Sequence, residues 1–550
     1  MRAKLTLNGL LRNFRVINLP FFHWTKLTWA ALILSPLMTH AQERTQPRLV
    51  VSIVVDQMRP DYLTRFAPHY KGGFARLMEE GQIFADAHYT HTPTYTGPGH
   101  ATIYTGTDPR FHGIIANDWY DPIMGRMVYC VEDSTARAIG QVAADDAYYT
   151  RSPRNLESST WTDELEMTSQ GAAKVVAFSL KDRGAICAAG HAGDAAYWLH
   201  DAGGFVTSDH YMEALPSWLS EFNTEHSPSS YMTGEWTPLL DNKHYEALCG
   251  LDASQTEAIP AGHVSTAFPY DLAKMYQAYQ GSIKSTPAGN QILVDAAIQA
   301  VKSEKLGKDA QTDVLAISFS STDYIGHATG VRSWETMDMY IRLDRQLGQL
   351  FKFLDRSVGK DDYIVVLTAD HGAADNPTEA AAQGLPTTIW PPADLEAELR
   401  AVIASTGLAA EHVLMIRNEQ IHLATEDAAV HTRVRQALLQ HPAIAEAWTR
   451  DEVRTSADPA AALRRNGSDA RSGHVFFALA PGHIIYGPTG TTHGSGYAYD
   501  THVPVIFLIP GMKGRTYVDR VHVRDIAPTI SHWIRIPQPT ASTGHILDIY

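Results

Sequence analysis

The chain has 550 residues, which is long enough to bury a large core and possibly several. Its apolar, charged, glycine and proline contents are those of an ordinary globular protein, which excludes a disordered or fibrous chain. The formal net charge of −15 argues against nucleic-acid binding. It leaves a phosphate substrate open, because local charges and metal ions can override the global sign.

The N-terminal residues 1–41 have the pattern of a secretory signal peptide. Basic residues precede an apolar run from Leu27 to Met38, and the small residue Ala41 follows. We therefore expect cleavage after Ala41 and a periplasmic or secreted protein with no stable membrane span. The run is short for a membrane helix, so an uncleaved anchor is the alternative. No other stretch is long and apolar enough to cross a bilayer.

Three cysteines follow the signal peptide, namely Cys130, Cys187 and Cys249. Export would place them in an oxidising compartment. An odd number allows at most one internal disulfide, and the sequence does not choose the pair.

The predicted domain begins with a continuous apolar run over 49–55, which is typical of a strand buried on both faces of a parallel sheet. Asp56 follows it directly. Open α/β sheets place their sites at the carboxyl ends of such strands. Asp56 is therefore a candidate site residue, with a helix-capping role as the alternative. A short helix over 72–80 and a strand over 83–89 come next.

A threonine-rich stretch over 91–106 contains Thr96 directly before Gly97-Pro98-Gly99. Proline fixes one φ and glycine permits conformations that other residues avoid, so this turn can aim one hydroxyl outward and begin a helix behind it. A helix N-terminus there would favour a negative charge beside the hydroxyl. From these residues alone, a structural turn is an equal alternative.

Polar and basic candidates follow in the next segments. Asn117 stands in a turn, and a predicted strand over 173–179 precedes Lys181 and Arg183. In an extended segment these two cations project on the same side, which suits an anion. As a bare motif the pair is weak, because most such pairs are solvated surface.

Two further core strands are predicted over 313–319 and 363–368. Asp323 and His327 follow the first of them and are four residues apart, close enough to bind one ion from a turn or helix. Asp370 and His371 follow the second. An aspartate and a histidine at a strand end favour metal binding, with a capping aspartate and a packed histidine as the alternative.

The remaining segments complete the predicted architecture. Residues 201–310 are irregular and predict an insertion that leads into a helix over 287–305, and a further helix is expected over 334–355. Residues 385–472 predict an inserted α/β cap. The core is expected to return with a strand over 474–479, and a last strand runs over 503–509. His493 lies in the glycine-rich loop before that strand.

Three aspartates and three histidines thus lie at the ends of predicted core strands or in loops beside them. Mixed Asp and His ligands suit Zn²⁺, with Mn²⁺ or Fe as alternatives, and the histidines argue against Ca²⁺ and Mg²⁺. Six ligands with one nucleophilic hydroxyl are enough for two ions. Two ions can clamp the attacking and leaving oxygens of an in-line displacement. Lys181, Arg183 and Asn117 would supply donors to a transferred phosphoryl group.

The order of these motifs resembles the alkaline phosphatase superfamily. Asp56, the Thr96-Gly-Pro-Gly-His stretch, Asn117, Asp323-x-x-x-His327, Asp370-His371-Gly and His493-Gly-Ser-Gly match it. Lys181-Asp182-Arg183-Gly184 is similar to the phosphate clamp of the exported PafA-type alkaline phosphatases. The resemblance covers residues 48 to about 510. It implies a three-layer α/β/α fold with a mostly parallel central sheet, and a catalytic domain over 48–550.

The resemblance also implies the chemistry. Thr96 would be the nucleophile, and a phospho-threonine would form and then be hydrolysed. Asn117, Lys181 and Arg183 would hold the non-bridging oxygens. Two Zn²⁺ ions would be bound, one by Asp323, His327 and His493, and the other by Asp56, Asp370 and His371 together with Thr96. The expected substrates are small phosphate monoesters, and the oligomeric state and physiological substrate stay open.

Several other functions are alternatives to a phosphate-monoester hydrolase. A nucleotide pyrophosphatase/phosphodiesterase of the same superfamily would share the six ligands, the threonine and the asparagine, but the two cations favour a dianionic monoester. A sulfatase would need a Cys or Ser in a Cys/Ser-x-Pro-x-Arg context, which the residues after Thr96 do not supply. A phosphoglycerate mutase does not fit an exported chain. A non-catalytic metal- or phosphate-binding protein is the remaining alternative.

Overall fold

The computed structural model describes residues 46–141, 150–201, 203–467 and 470–549. The predicted signal peptide, residues 1–41, lies outside the described residues. In the described part, twenty strands are assigned: β1 Leu49–Val55, β2 Gln82–His88, β3 Asp118–Asp121, β4 Arg126–Tyr129, β5 Ala138–Ile139, β6 Val175–Ser179, β7 Ala195–His200, β8 Gly204–Ser208, β9 Glu235–Trp236, β10 Tyr270–Asp271, β11 Asp313–Phe319, β12 Tyr363–Thr368, β13 Ile389–Trp390, β14 Val413–Arg417, β15 Gln420–Leu423, β16 Ile444–Thr449, β17 Val475–Leu479, β18 Ile484–Ile485, β19 His502–Leu508 and β20 Arg515–His522.

Twenty α-helices lie between the strands of the described residues. They are α1 Asp61–Arg65, α2 Gly73–Glu80, α3 Thr96–Thr105, α4 Pro109–His112, α5 Trp161–Ser169, α6 Asp182–Ala189, α7 Ser217–Glu225, α8 Pro228–Tyr231, α9 Asn242–Cys249, α10 Leu272–Ala278, α11 Pro287–Ser303, α12 Ser321–Thr329, α13 Trp334–Leu354, α14 Pro377–Ala382, α15 Pro392–Ala404, α16 Ala428–Leu438, α17 Arg450–Thr455, α18 Pro459–Asn466, α19 Ala498–Thr501 and α20 Ile526–Trp533.

A ten-stranded sheet forms the centre of the domain, in the order β20-β2-β19-β12-β1-β11-β6-β7-β8-β5. The five central strands from β12 to β7 are parallel to one another. On one side β19 is antiparallel to both β12 and β2, and on the other β8 is antiparallel to β7. The predicted α/β fold with a mostly parallel central sheet is therefore confirmed.

The central strands are buried along their whole length, as their apolar sequences predict. Every residue of β1, β11 and β12 is buried. Parallel strands covered on both faces need apolar side chains on both faces, which is why these segments lack polar alternation. Their observed bounds agree with the predicted ranges 49–55, 313–319 and 363–368.

The helices pack in two groups around the sheet. The helices α3, α5, α6 and α20 contact one another, whereas α2, α11, α12 and α13 form a second set of contacts. This separation is that of an α/β/α sandwich. The predicted helix over 334–355 is observed as α13, which ends at Leu354.

A second sheet of four strands, in the order β14-β15-β17-β16, corrects one prediction. The strand expected to return to the core at 474–479 is β17, and it pairs with β15 and β16 in this separate antiparallel sheet. Its run is continuously apolar because the sheet is covered on both faces. Val475, Phe477 and Leu479 join one apolar cluster, and Phe476 and Ala478 join another. A strand of a small covered sheet thus has the same sequence pattern as one of the main sheet.

The segment predicted as an insertion over 201–310 begins within the main sheet, since β8 is one of its ten strands. The insertion assignments for 201–310 and 385–472 stay predictions in their extent. All three cysteines, the buried Cys130 and Cys187 and the half-buried Cys249, are free thiols. Among the helices of the described residues, none combines the length and apolarity that a bilayer span requires.

Candidate active site

The candidate residues collect at the carboxyl ends of four neighbouring strands, β12, β1, β11 and β6. Asp370 follows β12, Asp56 follows β1, Asp323 lies in the first turn of α12 after β11, and Lys181 follows β6. Because parallel strands end at the same edge of a sheet, residues that are far apart in the chain become neighbours there. This edge is where open α/β sheets bind their ligands.

Thr96 is the first residue of α3, and the whole helix is buried. The glycines after it allow the helix end to approach the sheet closely. A Cβ atom on Gly99 would lie 2.3 Å from the carbonyl oxygen of Asp370. The hydroxyl of Thr96 is thereby held beside the strand end that carries Asp370, at a helix N-terminus that favours negative charge.

Three polar side chains surround Thr96. The Nζ atom of Lys181 and the Nη2 atom of Arg183 donate to its Oγ1 at 3.3 and 3.4 Å. The Oδ1 atom of Asn117 accepts from the backbone N–H of Gly97 at 2.7 Å. Two cations thus converge on a single hydroxyl, and Asn117 lies beside them at the N–H of Gly97. The predicted extended segment is wrong, because Arg183 lies in α6 and only Lys181, before the helix, is extended.

Lys181 also binds two carboxylates of the strand ends. Its Nζ lies 2.7 Å from Oδ2 of Asp56 and 2.6 Å from Oδ2 of Asp323. Its side chain is 4% exposed, so little solvent screens these ion pairs. Lys181 therefore connects the clamp around Thr96 with the candidate metal ligands.

Asp323, His327 and His493 form one candidate metal-binding group. The Nε2 atoms of His327 and His493 lie 3.2 and 3.5 Å from Oδ1 of Asp323. His327 is one helical turn after Asp323 in α12, whereas His493 reaches the group from the loop before α19. Two imidazoles and a carboxylate at this separation are a donor set for zinc.

The tautomers of the three histidines are fixed by backbone carbonyl oxygens. The Nδ1 atoms of His327, His493 and His371 lie 2.8, 2.7 and 3.0 Å from the carbonyl oxygens of Thr491, Thr94 and Gly372, respectively. A carbonyl oxygen only accepts, so each Nδ1 carries a proton and each Nε2 faces the site. Such support of ring orientation is typical of metal-ligating histidines.

Asp56, Asp323 and His371 form a second group. Oδ1 of Asp56 and Nε2 of His371 are 3.5 Å apart, both are buried, and neither has a hydrogen-bond partner within the described residues. Asp370 is adjacent, with its Oδ2 atom 3.6 Å from the same Nε2. Unpartnered buried donor atoms of this kind fit a cation. Asp323 belongs to both groups, so the predicted division of ligands between two ions stays a prediction.

The electrostatics of the cluster also favour added positive charge. Burial raises the pKa of Asp56 well above its usual value, and the carboxylates of Asp323 and Asp370 raise it further. Burial lowers the pKa of His371 to about 3, which keeps its imidazole neutral and able to ligate. Burial alone would raise the pKa of Asp323, but His327 and Lys181 outweigh it and lower that pKa.

Tyr129, Asp182 and Arg151 form a hydrogen-bonded network behind Arg183 that the sequence did not predict. The hydroxyl of Tyr129 accepts from Nη1 of Arg183 at 3.0 Å and donates to Oδ1 of Asp182 at 2.5 Å. Arg151 donates to the other oxygen of Asp182 at 2.8 Å and lies over the ring of Tyr129. Nothing in the sequence near Tyr129 marks it, because its partners are 53 and 54 residues away.

Two further polar residues orient the ligands. Gln57, the residue after Asp56, has a φ of +63°. Its backbone N–H donates to Asp370, and its Nε2 donates to Asp323 at 3.0 Å. His100 lies one turn after Thr96, with its Nδ1 atom 3.3 Å from Oδ2 of Asp370 and 2.9 Å from the carbonyl oxygen of Thr96. Their proximity in sequence to Asp56 and Thr96 was the available signal.

Comparison with known proteins decides the family. The family model for type I phosphodiesterase/nucleotide pyrophosphatase matches residues 50–499. The chain belongs to this family. It is 36% identical over 514 residues to alkaline phosphatase PafA of Elizabethkingia meningoseptica, covering 91% of this chain and 93% of that protein. It is also 36% identical over 524 residues to alkaline phosphatase PhoV of Synechococcus elongatus, covering 92% and 93%.

The fold agrees with the sequence comparison. The crystal structure of wild-type PafA matches with a TM-score of 0.87 at 36% identity, over 91% of this chain and 98% of that one. The predicted membership of the alkaline phosphatase superfamily, in its PafA-type branch, is therefore confirmed. The prediction that the chain is a phosphatase is confirmed with it.

Proposed function

We propose that this phosphatase hydrolyses phosphate monoesters through a phospho-threonine on Thr96. The observation that carries the proposal is the pair of cations on its hydroxyl, with Lys181 Nζ at 3.3 Å and Arg183 Nη2 at 3.4 Å. A phosphoryl group attached to Thr96 would place its free oxygens beside both cations. A monoester is dianionic and has three such oxygens, so it gains more from them than a diester does.

The reaction has two displacements at phosphorus. Thr96 Oγ1 forms a bond to phosphorus and gives up its proton to solvent. The bond from phosphorus to the ester oxygen breaks, and the leaving alkoxide takes a proton from solvent. Water then attacks the phospho-threonine, which releases inorganic phosphate and restores the hydroxyl. Lys181, Arg183 and the amide of Asn117 hold the non-bridging oxygens in both steps.

We further propose that the chain holds two Zn²⁺ ions. Asp323, His327 and His493 would bind one, and Asp56, Asp370 and His371 would bind the other beside Thr96. Bound zinc would lower the pKa of a coordinated hydroxyl or water, and it would stabilise negative charge on the phosphoryl oxygens. The proposal is supported by the orientation of the three histidines, whose Nδ1 atoms bind backbone carbonyl oxygens, and by the unpartnered Oδ1 of Asp56.

The test compares p-nitrophenyl phosphate with bis-p-nitrophenyl phosphate. We expect Lys181→Ala and Arg183→Ala each to lower monoesterase kcat/KM by about 100-fold or more, and diesterase kcat/KM by much less. Arg154→Ala is the matched control, because this arginine pairs with Asp133 and its side chain is 60% exposed. Equal loss of both activities would contradict the proposal that Lys181 and Arg183 bind the free oxygens of a monoester.

The phosphodiesterase named in the family description is the second candidate function. A wild-type kcat/KM that is higher for the diester than for the monoester would favour it and would contradict the proposed substrate class. Retention of full activity in Thr96→Ala would contradict the nucleophile under either substrate.

We also propose export, on the pattern of basic residues, apolar run and Ala41 at the N-terminus. The mass of the N-terminal peptide from protein secreted by a bacterial host tests it. A mature protein beginning at Gln42 is expected, and an intact N-terminus on cell-associated protein would contradict cleavage.

A further inference from the structure

The second sheet reaches the candidate active site through the turn that joins β14 to β15. Arg417 ends β14, Gln420 begins β15, and these two residues pair across the hairpin. The two residues between them, Asn418 and Glu419, have φ values of +55° and +56°. A two-residue connection with both φ values positive is that of a type I′ turn, which matches the twist of its strands. The turn therefore presents its side chains in one fixed arrangement.

Two side chains of this turn hold Asp118, the first residue of β3. The Nε and Nη2 atoms of Arg417 donate to the two carboxylate oxygens of Asp118 at 3.0 and 2.8 Å. The Nδ2 atom of Asn418 donates to the backbone carbonyl oxygen of Asp118 at 2.6 Å. A bidentate guanidinium-carboxylate pair restricts direction as well as distance. The three bonds thus fix both the side chain and the backbone of Asp118, from partners 299 and 300 residues away.

Asp118 directly follows Asn117, the amide beside Thr96. The Oδ1 atom of Asn117 accepts from the backbone N–H of Gly97 at 2.7 Å, and its carbonyl oxygen accepts from that of Cys130 at 2.9 Å. Asn117 is itself only half-buried, so the packing around it does not fully fix its position. Because adjacent residues share one planar peptide unit, restraint of Asp118 also restrains the backbone of Asn117.

The turn is in turn fixed within the second sheet. The carbonyl oxygen of Glu419 accepts from the backbone N–H of Phe477 in β17 at 3.0 Å. Its carboxylate lies 2.6 Å from Nη2 of Arg464 in α18, and the two side chains are 13% and 6% exposed. Such a pair is costly to break, because a buried charge would be left uncompensated. The hairpin is therefore a stiff support for Asp118.

We propose that Arg417 and Asn418 are positioning residues for the phosphatase reaction. They hold Asp118 and thereby keep the side-chain amide of Asn117 where it donates to a non-bridging oxygen of the phosphoryl group. The inference rests on the proposed role of Asn117 in binding that oxygen. A small displacement of such a donor weakens its bond to the transition state. The second sheet then contributes to the rate, although the candidate catalytic and metal-binding residues lie outside its strands.

The experiment is a double-mutant cycle between Arg417→Ala and Asn117→Ala. It measures kcat/KM for p-nitrophenyl phosphate on the full chain supplied with Zn²⁺. We expect Arg417→Ala to lower kcat/KM about 10-fold, because a displaced amide binds the transition state less well. In the Asn117→Ala background the same change should lower it by less than about 2-fold, since the amide that Arg417 positions is gone. A general structural defect would instead lower kcat/KM by the same factor in both backgrounds.

Asn418→Gly is the second variant, because glycine accepts the positive φ of the turn and removes only the side chain. It should lower kcat/KM in the wild-type background and leave that of Asn117→Ala unchanged, which keeps the proposal testable if Arg417→Ala fails to fold. The matched control is Arg454→Ala in α17. The side chain of Arg454 is 59% exposed, against 52% for Arg417, and pairs with Asp451 of its own helix. This variant should keep the wild-type kcat/KM.

The cycle separates two kinds of failure. Wild-type kcat/KM in both Arg417→Ala and Asn418→Gly, or an equal loss with and without Asn117, would overturn the positioning proposal alone. Wild-type kcat/KM in Asn117→Ala would contradict the proposed role of Asn117, and the positioning proposal would be wrong with it.

Discussion

At the scale of single residues, the support of Arg183 by Tyr129 decides how firmly the clamp is held. A guanidinium has five donors in a rigid fork, and its position depends on what its other donors contact. One Nη atom of Arg183 reaches Thr96, and the other donates to Tyr129. Tyr129 is itself held by Asp182, the residue between the two clamp cations.

We expect Tyr129→Phe to lower monoesterase kcat/KM roughly 10-fold, because Arg183 loses an anchoring acceptor while its charge remains. Diesterase kcat/KM should change less, since a diester has fewer free oxygens for the guanidinium. Tyr211→Phe is the control, as it removes a hydroxyl that donates to Gly190 at 3.0 Å, away from the clamp. A parallel decrease of both activities would show a general structural defect instead.

At the scale of elements, the approach of α3 to the end of β12 positions Thr96. The close contact between Gly99 and Asp370 leaves no room for a side chain. Glycine is therefore required at position 99 because Asp370 lies so close, and not because the backbone adopts an unusual φ.

We expect Gly99→Ala to destabilise the fold by about 1–3 kcal/mol and to reduce activity strongly, because the new methyl group pushes α3 away from Asp370. Chemical denaturation and steady-state kinetics measure the two effects. Gly487→Ala is the control, since a Cβ there would meet no atom within 4 Å. Wild-type stability and activity in Gly99→Ala would contradict the close approach of α3 to Asp370.

A buried histidine in the second sheet makes the stability of the fold depend on pH. His422 in β15 is buried, and burial lowers its pKa to about 4, with smaller contributions from His474 and Arg450. Between pH 6.5 and 4 the unfolded chain binds a proton that the folded chain does not. Stability is therefore lost as the pH falls through this range, and this histidine adds no further loss below it.

We expect His422→Gln to flatten the fall of the thermal midpoint between pH 6.5 and 4, by an amount equivalent to at most about 3 kcal/mol. Thermal melts at several pH values measure it. His210→Gln, which removes an exposed histidine, should leave the slope unchanged. A slope that is equally steep in His422→Gln would contradict the buried, neutral state of this residue.

At the scale of the whole molecule, the candidate ligands connect distant parts of the chain. They come from the ends of neighbouring strands and from the loop that carries His493. Ions that bind the folded chain and not the unfolded chain stabilise the fold by mass action. Metal binding should therefore support the domain as well as the reaction.

We expect chelation to abolish activity and to lower the thermal midpoint, and Zn²⁺ to restore both. Metal analysis of the purified protein should give two zinc ions per chain. His493→Ala should lower this ratio, while His210→Ala, which removes an exposed histidine outside the candidate metal-binding groups, should not. Undiminished turnover by metal-free protein would refute the two-metal site.

Local sequence patterns were enough to predict the central strands and to single out the candidate residues that follow them. Apolar runs such as 49–55 are local patterns, and Asp56, Asp370 and His371 lie directly after such runs or close to their ends, so no tertiary knowledge was needed to single them out. Thr96, Asn117, Lys181 and Arg183 were selected because the order of motifs resembles a known family.

Which sheet a strand joins, and which residues support the candidate site, depends on contacts between distant parts of the chain. The run at 475–479 has the pattern of a central strand, but burial on both faces does not reveal which sheet provides the cover. Tyr129 was not predicted either, because its partners Asp182 and Arg183 are 53 and 54 residues away in sequence. Periodicity records that a side chain is buried, whereas strand order and close packing decide what it is buried against.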